Sequence, residues 1–402
     1  MLFREGLSGE LKDKGEDFRV YLQDKSAELA FYFEALSKIE NEPYGLIEQK
    51  FYQPEDCGAI PGDELSSNRS FSFPFDISWQ NHEQARDWAA GILQNRTTFA
   101  ADGSQIYAGK ETSVPVAAIQ IGWFENPHDS SKPYEKNVRF EILTPDDLFK
   151  GQDEPMNPDI RVEERRYLGE VAQIGDFLEK KRCWRERGER MPLAFFDNPL
   201  LVPFSQKGLQ NSFLTATVNL VKLSKETEVP LVGYVDRSFS RDLLTFLGSV
   251  SSHDKAGETT MYDASLLRGS IDGTSCMLEF WGDRSCFCYS KRRGLNAFID
   301  EATGRSTVGF TYLQTTADST PARLDVPSWV YEAGLLNEVL DVVRAECVVG
   351  LGYPYALETA DQTAVISTRD REIFFRALQE FAVREKLEFS VSRKNASKNR
   401  RR

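Results

Sequence analysis

Two aspartates that follow short apolar segments have the clearest potential for chemistry. Asp102 follows residues 97–101 and precedes Gly103, and Asp197 follows residues 192–196. Carboxylates at strand ends can converge on Mg²⁺ or Mn²⁺, which prefer oxygen ligands and can activate water for attack on a phosphodiester. An aspartate after a strand also stabilises its own turn, so each residue alone fits turn chemistry as well as metal binding.

A predicted helix over residues 159–186 supplies a third acid between these two. Most of its glutamates fit a solvated face, but Glu170 lies within the more apolar run 167–172 and is expected to point inward. Gly169 beside it would allow another backbone or a ligand to approach the helix closely. The sequence therefore favours a site built from three carboxylates.

Other kinds of catalytic site find little support in the composition. The three histidines, His82, His128 and His253, do not lie at motif spacing, and the six cysteines form no CxxC pair. Both facts argue against a Ser-His-Asp triad and against a zinc centre. Cys286 and Cys288 would share one face of a strand, where small packing residues are the simpler interpretation.

The charge of the chain is unevenly distributed. Its 49 basic and 62 acidic residues give a formal net charge of −13, which argues against unspecific coating of nucleic acid. Six basic residues lie among the last eleven, residues 392–402, and predict a solvated end or a phosphate-binding arm. No apolar run is long enough to cross a bilayer and no secretory signal is visible, so we expect a cytoplasmic protein without membrane contact.

The order of the predicted elements indicates an α/β fold. Strands are predicted at residues 97–101, 114–124 and 138–143, followed by the helix 159–186, strand 192–196, helix 212–225 and strand 230–235. An antiparallel meander followed by strand–helix–strand is the order expected of an RNase H-like core, a mixed sheet flanked by helices.

Further elements are predicted on both sides of this core. A helix at residues 17–39 and a loop at 53–72 precede it, and the N-terminal segment is expected to be helical. A C-terminal α/β extension is predicted with strands at 277–281, 285–291, 307–315 and 323–327 and helices at 333–346 and 370–387.

Short motifs along the chain, taken together, resemble those of the NurA nuclease family. The run AADGSQ at residues 100–105 resembles the opening motif of that family, and Glu170 and Asp197 match its second and third acidic positions. Residues 233–238, 312–329 and 352–361 are similar to its later motifs. The resemblance extends from about residue 97 to 385 and depends on the order and spacing of the motifs together.

The resemblance implies a Mn²⁺-dependent or Mg²⁺-dependent DNA nuclease of the 5′–3′ exonuclease and endonuclease type. Such a protein would process DNA ends as a ring-shaped homodimer, together with a HerA-type hexameric ATPase that drives DNA into the nuclease. Asp102, Glu170 and Asp197 would be metal ligands, and Tyr353 would be an active-site phenol close to the phosphate.

The sequence departs from the family pattern at two positions. Where the family often has a histidine, eight residues after the tyrosine, this chain has Asp361. An aspartate there could join the metal ligands, but it could not act as a neutral imidazole. The second Asp-Gly-Ser of many relatives is replaced by Asp197-Asn198-Pro199, which keeps the acid and changes the turn.

Several alternatives stay open at the level of sequence. Arg237 and Arg323 could contact DNA phosphates or could pair with strand-end acids. A dimeric adaptor that caps a DNA-translocating ATPase without cleaving DNA would keep the same fold, and so would an RNA-directed nuclease. By sequence, we divide the chain into an N-terminal helical segment (1–80), a NurA-like nuclease domain (81–390) and a basic disordered tail (391–402).

Overall fold

The computed structural model describes residues 4–51, 57–109, 112–149, 157–201, 210–250, 261–270 and 276–388. The chain forms two compact units. We call residues 79–234 with 329–402 the core unit and residues 1–78 with 235–328 the companion unit. The tail predicted at 391–402 lies outside the described residues. Whether the predicted segments 1–80 and 81–390 are separate domains stays a prediction.

The helices of the described ranges follow in chain order. They are α1 (Arg4–Asp13), α2 (Gly15–Asn41), α3 (Tyr44–Phe51), α4 (Glu64–Asn68), α5 (His82–Leu93), α6 (Pro145–Phe149), α7 (Pro158–Lys181), α8 (Gln210–Thr227), α9 (Asp242–Val250), α10 (Asp263–Leu267), α11 (Ser328–Glu332), α12 (Leu336–Val349), α13 (Tyr355–Ala364) and α14 (Thr368–Arg384), with a 3₁₀ helix at Asn296–Phe298. In these ranges we find no helix with the length and apolar character that a bilayer crossing requires.

The strands are given in the same order. They are β1 (Gly58–Pro61), β2 (Ser72–Phe73), β3 (Thr98–Ile106), β4 (Ala117–Asn126), β5 (Glu135–Leu143), β6 (Leu193–Phe196), β7 (Leu231–Val235), β8 (Arg284–Ser285), β9 (Cys288–Lys291), β10 (Val308–Leu313) and β11 (Ala322–Pro327).

The core unit contains a mixed sheet with the strand order β7–β6–β3–β4–β5. β3, β4 and β5 form an antiparallel meander. β6 pairs in parallel with β3, and β7 pairs in parallel with β6. This order confirms the predicted RNase H-like core. β6 is buried over its whole length, as its uninterrupted apolar sequence requires of a central parallel strand.

Helices cover both faces of this sheet. α7 begins after Asn157, whose side chain accepts a hydrogen bond from the backbone N–H of Asp159 (3.1 Å), and it packs on β3 and β4. α13 packs on β3, β4 and β5. Adjacent residues of a strand face opposite sides, so β4 meets α7 at Ile121, which lies against Gly169, and meets α13 at Gly122.

The structure corrects several predicted elements. β3 does not end at Asp102 but continues to Ile106, because pairing with β4 along its whole length outweighs the turn preference of the Asp-Gly-Ser run. Residues 277–281 form bends and a turn instead of a strand. The predicted loop at 53–72 contains β1 and α4, although residues 52–56 lie outside the described ranges. α13, which carries Asp361, was not among the predicted helices.

The companion unit has an antiparallel sheet with an ionic network in its interior. The strand order of this sheet is β1–β9–β10–β11, and β8 pairs with both β10 and β2.

Arg323 of β11 is the centre of the ionic network. It is 1% exposed, and it donates from Nε to Asp325 (2.7 Å) and from Nη1 to Asp242 (2.6 Å). Arg292 binds both carboxylate oxygens of Asp242. Two arginines thus neutralise the acid at the start of α9.

A further acid, Asp263, lies in the same network. It is fully buried and accepts hydrogen bonds from the Tyr312 hydroxyl (3.0 Å) and the Leu244 N–H (3.1 Å). Burial raises the pKa of Asp263 to about 7, and the carboxylate of Asp242 adds to the rise. Burial alone would raise the pKa of Asp242 as well, but Arg323 and Arg292 hold it below its ordinary value.

Gly122→Ala should destabilise the core unit. A Cβ at this position would lie 2.5 Å from the backbone nitrogen of Ala364 and 2.8 Å from its Cα, so β4 and α13 would have to separate. Overpacking of this kind costs about 1–3 kcal/mol. The gain from replacing a strand glycine by alanine is about 0.5–1 kcal/mol. We therefore expect a lower midpoint of thermal unfolding, measured by circular dichroism.

Gly175→Ala in α7 is the matched control. A Cβ at Gly175 would meet Leu223 Cδ2 at 3.6 Å, an ordinary contact distance, and alanine favours the helix by up to about 1 kcal/mol. The control should unfold at or above the wild-type midpoint. A midpoint for Gly122→Ala that equals or exceeds that of the wild type would contradict the close approach of β4 and α13.

Asp263→Asn should stabilise the protein increasingly as the pH rises. Because the folded-state pKa of Asp263, about 7, lies above its ordinary value of 3.8, the native state keeps a proton that the unfolded state releases. The resulting loss of wild-type stability is absent below about pH 4, grows as the pH rises and is complete above about pH 7. The asparagine variant lacks this loss, while the neighbouring Asp242, Arg323 and Tyr312 are the same in both proteins.

Denaturant unfolding at a series of pH values measures this effect. The free energy of unfolding of the variant minus that of the wild type should increase from about pH 4 to about pH 7. Asp318→Asn, which alters an exposed acid of the same unit, should show no such trend. A difference for Asp263→Asn that stays constant or decreases over this range would refute the assignment.

Candidate active site

The parallel pairing of β3 with β6 brings Asp102 and Asp197 to the same level of the sheet. Ala101 is paired with Phe196, the last residue of β6, so the next residue on each chain is one of the two aspartates. Asp102 stays within β3, half-buried and opposite Gly122 of β4. Asp197 is exposed in the turn after β6. Two acids that are far apart in sequence therefore become neighbours.

Glu170 reaches the site from α7 and is 1% exposed. Its Oε1 accepts a hydrogen bond from Arg166, and its Oε2 lies 3.5 Å from the amide nitrogen of Asn198 in the turn after β6. Gly103 makes this arrangement possible, because a Cβ there would lie 2.5 Å from both Arg166 Cγ and Glu170 Oε1. The glutamate therefore points into the core unit, against the strand that carries Asp102.

Asp361 and Tyr353 approach from the other face of the sheet. The Tyr353 hydroxyl donates a hydrogen bond to Asp197 Oδ1 (2.9 Å), and its ring packs edge-on against Tyr234 with the centroids 5.2 Å apart. Asp361 of α13 is exposed, and its charge raises the pKa of Asp102. The structure thus brings all five residues that the sequence singled out into one region of the core unit.

Glu346 of α12 fixes this region and was missed by the sequence reasoning. It is 1% exposed, and its Oε1 accepts a hydrogen bond from the Thr98 hydroxyl at the start of β3 (2.8 Å). Its Oε2 accepts the backbone N–H of Ala356 in the first turn of α13 (2.9 Å), and His128 Nε2 lies 3.6 Å from Oε1. One glutamate within a helix gives no sequence signal for partners this distant. Only the fold shows that it ties β3 to α13.

Burial and the charges of neighbouring acids raise the pKa values of Asp102 and Glu170. Burial raises the pKa of Asp102 to about 6 against the hydrogen bond from the Gly103 N–H, and the charges of Asp197 and Asp361 contribute to the rise. Burial raises the pKa of Glu170 to about 8 although Arg166 opposes it, and Asp102 and Asp197 add to the rise. Ionisation of these two carboxyl groups is therefore less favourable in the folded protein than in water. Perturbed pKa values of this kind are typical of functional sites.

The donor atoms of the site fit a hard divalent cation by type. Carboxylate oxygens are offered by Asp102, Glu170, Asp197 and Asp361. Their negative charges repel one another, and a bound cation would neutralise those charges. Within the ranges that the structure describes, however, no group of three or more His, Cys, Asp or Glu side chains is arranged to hold a metal ion. Arg166 engages one oxygen of Glu170 and Tyr353 one oxygen of Asp197. Binding would therefore require these side chains to move.

The two arginines predicted as DNA contacts lie in the companion unit. Arg323 is buried and paired with two acids, as the second alternative expected, but neither acid ends a strand: Asp242 begins α9 and Asp325 lies within β11. Arg237 is exposed, and within the described residues it makes no ion pair. A DNA contact by Arg237 stays a prediction, and for Arg323 it would require the ion pairs to open.

Comparisons with known proteins agree with the motif pattern. A family model described as the NurA domain matches residues 96–366. Solved structures similar to this chain include "Crystal structure of NurA with manganese" (10% identity, covering 74% of this chain and 94% of that chain, TM-score 0.36), the catalytic domain of human endonuclease V (12%, 74% and 96%, TM-score 0.31) and endonuclease V from Bacillus subtilis (13%, 76% and 97%, TM-score 0.29). No match was found among curated protein sequences. Because the family model covers well over half of its length, the chain belongs to the NurA family.

Proposed function

We propose that this chain, a nuclease by its family, hydrolyses DNA with the help of Mn²⁺ or Mg²⁺ held by Asp102, Glu170, Asp197 and Asp361. The observation that carries the proposal is the crowding of carboxylates. Beyond the effect of burial, their charges raise the pKa values of Asp102 and Glu170. A cation bound between the carboxylates would remove this repulsion.

The exposure of each residue suggests its role. Asp197 and Asp361 are exposed, so they lie where a DNA strand can approach, whereas Glu170 is buried and held by Arg166. Tyr353 orients Asp197 and, once released from it, can donate its hydroxyl proton to a phosphate oxygen. A divalent cation, when bound, would supply activation of the attacking water and stabilisation of the leaving oxygen.

The proposal includes the partners that the family resemblance implies. The protein would act as a homodimer on DNA ends in the cytoplasm, together with a HerA-type hexameric ATPase. The support is the order of the motifs along residues 96–366. The net charge of −13 also fits a nuclease that receives its DNA from a motor better than one that attracts DNA over its whole surface.

A non-catalytic adaptor is the second candidate. Two observations favour it: Asp361 stands where the family often has a histidine, and Arg166 engages one oxygen of Glu170. Such a protein would keep the fold, bind the ATPase and thread DNA without cleaving it. The difference between the two candidates is therefore hydrolysis itself.

Asp102→Asn should abolish Mn²⁺-dependent degradation of linear DNA. A bound catalytic cation contributes several kcal/mol to transition-state stabilisation, and about 1.4 kcal/mol corresponds to a tenfold change in rate. We expect a loss of about a hundredfold or more, measured on end-labelled DNA with the protein alone and with the HerA-type ATPase. The rise in unfolding temperature on addition of Mn²⁺ should also shrink, which reports metal binding without activity.

Asp176→Asn is the matched control, because Asp176 is an exposed acid on the same helix as Glu170. It should retain wild-type activity and the wild-type response to Mn²⁺. Equal cleavage by wild type and Asp102→Asn would contradict the proposed site. No cleavage by the wild type, alone or with the ATPase, would favour the adaptor.

Tyr353→Phe tests the role of the phenol. The variant removes the hydrogen bond to Asp197 but keeps the ring that packs against Tyr234. Loss of one hydrogen bond to a charged group, about 1.5–3 kcal/mol, predicts a roughly tenfold to hundredfold lower kcat. Single-turnover rates and DNA affinity in EDTA separate the two effects. An unchanged rate with weakened affinity would contradict an orienting role and indicate a contact for binding only.

A further inference from the structure

The companion unit has a phenylalanine whose side chain is mostly exposed to solvent. Phe239 lies in the loop of residues 236–241, directly after β7, and is 71% exposed. Burying a phenylalanine side chain contributes about 1.5–3 kcal/mol, so leaving its ring in water gives up that stabilisation. A single exposed apolar residue needs no explanation by itself. The residues on either side of Phe239 are what make it unusual.

The loop holds this ring outward because both neighbouring serines are fixed. Ser238 is 7% exposed, and its Oγ accepts the backbone N–H of Ser240 (3.3 Å). The Ser240 hydroxyl accepts a hydrogen bond from Arg292 Nη2 (3.0 Å), and its carbonyl accepts the N–H of Asp263 (2.9 Å). These bonds fix the residues on both sides of Phe239.

The buried ionic network of the companion unit supports the same loop. Arg292, which holds Ser240, also binds both carboxylate oxygens of Asp242. Asp242 is in turn bound by Arg323 (2.6 Å). Breaking a buried charge pair is strongly destabilising, because it leaves an uncompensated charge in the interior. Phe239 thus sits on a loop that is anchored to the interior of its unit.

The surroundings of the ring are aromatic and cationic. Phe239 packs edge-on against Tyr262, with the centroids 5.0 Å apart and the planes at 64°. The guanidinium of Arg241 lies 5.2 Å from the centroid of the Tyr262 ring. Arg237, two residues before Phe239, is exposed, and Asp236 is the one exposed acid of the loop.

This combination suits an unpaired nucleic-acid strand. Aromatic faces stack with any base, because every base has a π-face, and arginines contact the phosphates between the bases. A duplex end offers its bases only when the strands separate. The charge also matches, since the loop has basic residues on both sides of the ring in a chain that is acidic overall.

We propose that Phe239, supported by Tyr262 and Arg241 and with Arg237 as a phosphate contact, is a base-stacking platform for single-stranded DNA. The platform rests on the proposed function only in that DNA is the substrate. It requires neither the metal nor the carboxylates of the core unit. Binding to the platform can therefore be measured while hydrolysis is blocked.

The test uses the full chain and a fluorescently labelled oligo-dT of about 20 nucleotides, with fluorescence anisotropy in EDTA. Stacking of a base on an aromatic side chain contributes to the free energy of binding. Loss of this stacking in Phe239→Ala should raise the Kd for the oligonucleotide about tenfold or more. Phe239→Trp keeps a stacking face and should stay within about twofold of the wild type. Phe280→Ala is the matched control, since Phe280 is 66% exposed in the same unit, and its Kd should not change.

An oligonucleotide of the same length with abasic spacers separates stacking from charge. On this ligand Phe239→Ala and the wild type should bind equally weakly. Three results would overturn the inference: a wild-type Kd for Phe239→Ala on oligo-dT, an equal loss on the abasic ligand, or no binding of oligo-dT by the wild type. A wild type that binds oligo-dT through Phe239 but does not cleave DNA would refute the proposed hydrolysis and leave the platform intact.

Discussion

The in-register parallel pairing of β3 with β6 is the interaction on which the site depends. The last residue pair of these two strands is Ala101 and Phe196. The next residues, Asp102 and Asp197, are therefore neighbours at the position where the pairing of β3 with β6 stops. Two glycines, one on each of the paired strands β3 and β4, face the neighbouring helices. Gly103 leaves room for Glu170, and the opposite glycine of β4, Gly122, lets α13 approach. A carboxylate-rich site follows from backbone geometry that larger side chains would prevent.

The pKa values of Asp242 in the companion unit and Asp102 in the core unit move in opposite directions. In the companion unit Asp242 is bound by two arginines, which hold its pKa below the ordinary value against the effect of burial. In the core unit burial raises the pKa of Asp102 against the hydrogen bond from the Gly103 N–H, and the charges of Asp197 and Asp361 raise it further. A network that is neutralised internally serves to hold structure in place. The carboxylates of the core unit, of which Asp197 and Asp361 are exposed, are suited to an incoming cation.

Sequence reasoning was most successful where a single local pattern determines the structure. The meander, the capped helix α7 and the buried strand before Asp197 all follow from periodicity and turn residues, and their order was enough to predict the RNase H-like core. The same reasoning ended β3 at Asp102, because Asp-Gly-Ser favours a turn when it is considered alone. In the fold, pairing with β4 decides the conformation, and Gly103 is needed for clearance against Arg166 and Glu170.

Other features depend on contacts between distant parts of the chain. The structural role of Glu346 could not be predicted from the sequence. It depends on two hydrogen bonds that the glutamate accepts at the same time, one from Thr98 and one from the N-terminus of α13. Arg323 had two possible environments, and only the pairing of β11 within the companion unit shows that acids surround it. The association of residues 1–78 with 235–328 was equally invisible, since β1 and β9 are separated by more than half of the chain.

The central claim is that the carboxylates of the core unit together bind a divalent cation. Anomalous X-ray scattering from crystals soaked in Mn²⁺ tests it most directly. The account predicts an anomalous peak bounded by Asp102, Glu170, Asp197 and Asp361, with Arg166 displaced from the glutamate. A peak located elsewhere, or no peak with the Arg166–Glu170 pair still closed, would contradict it.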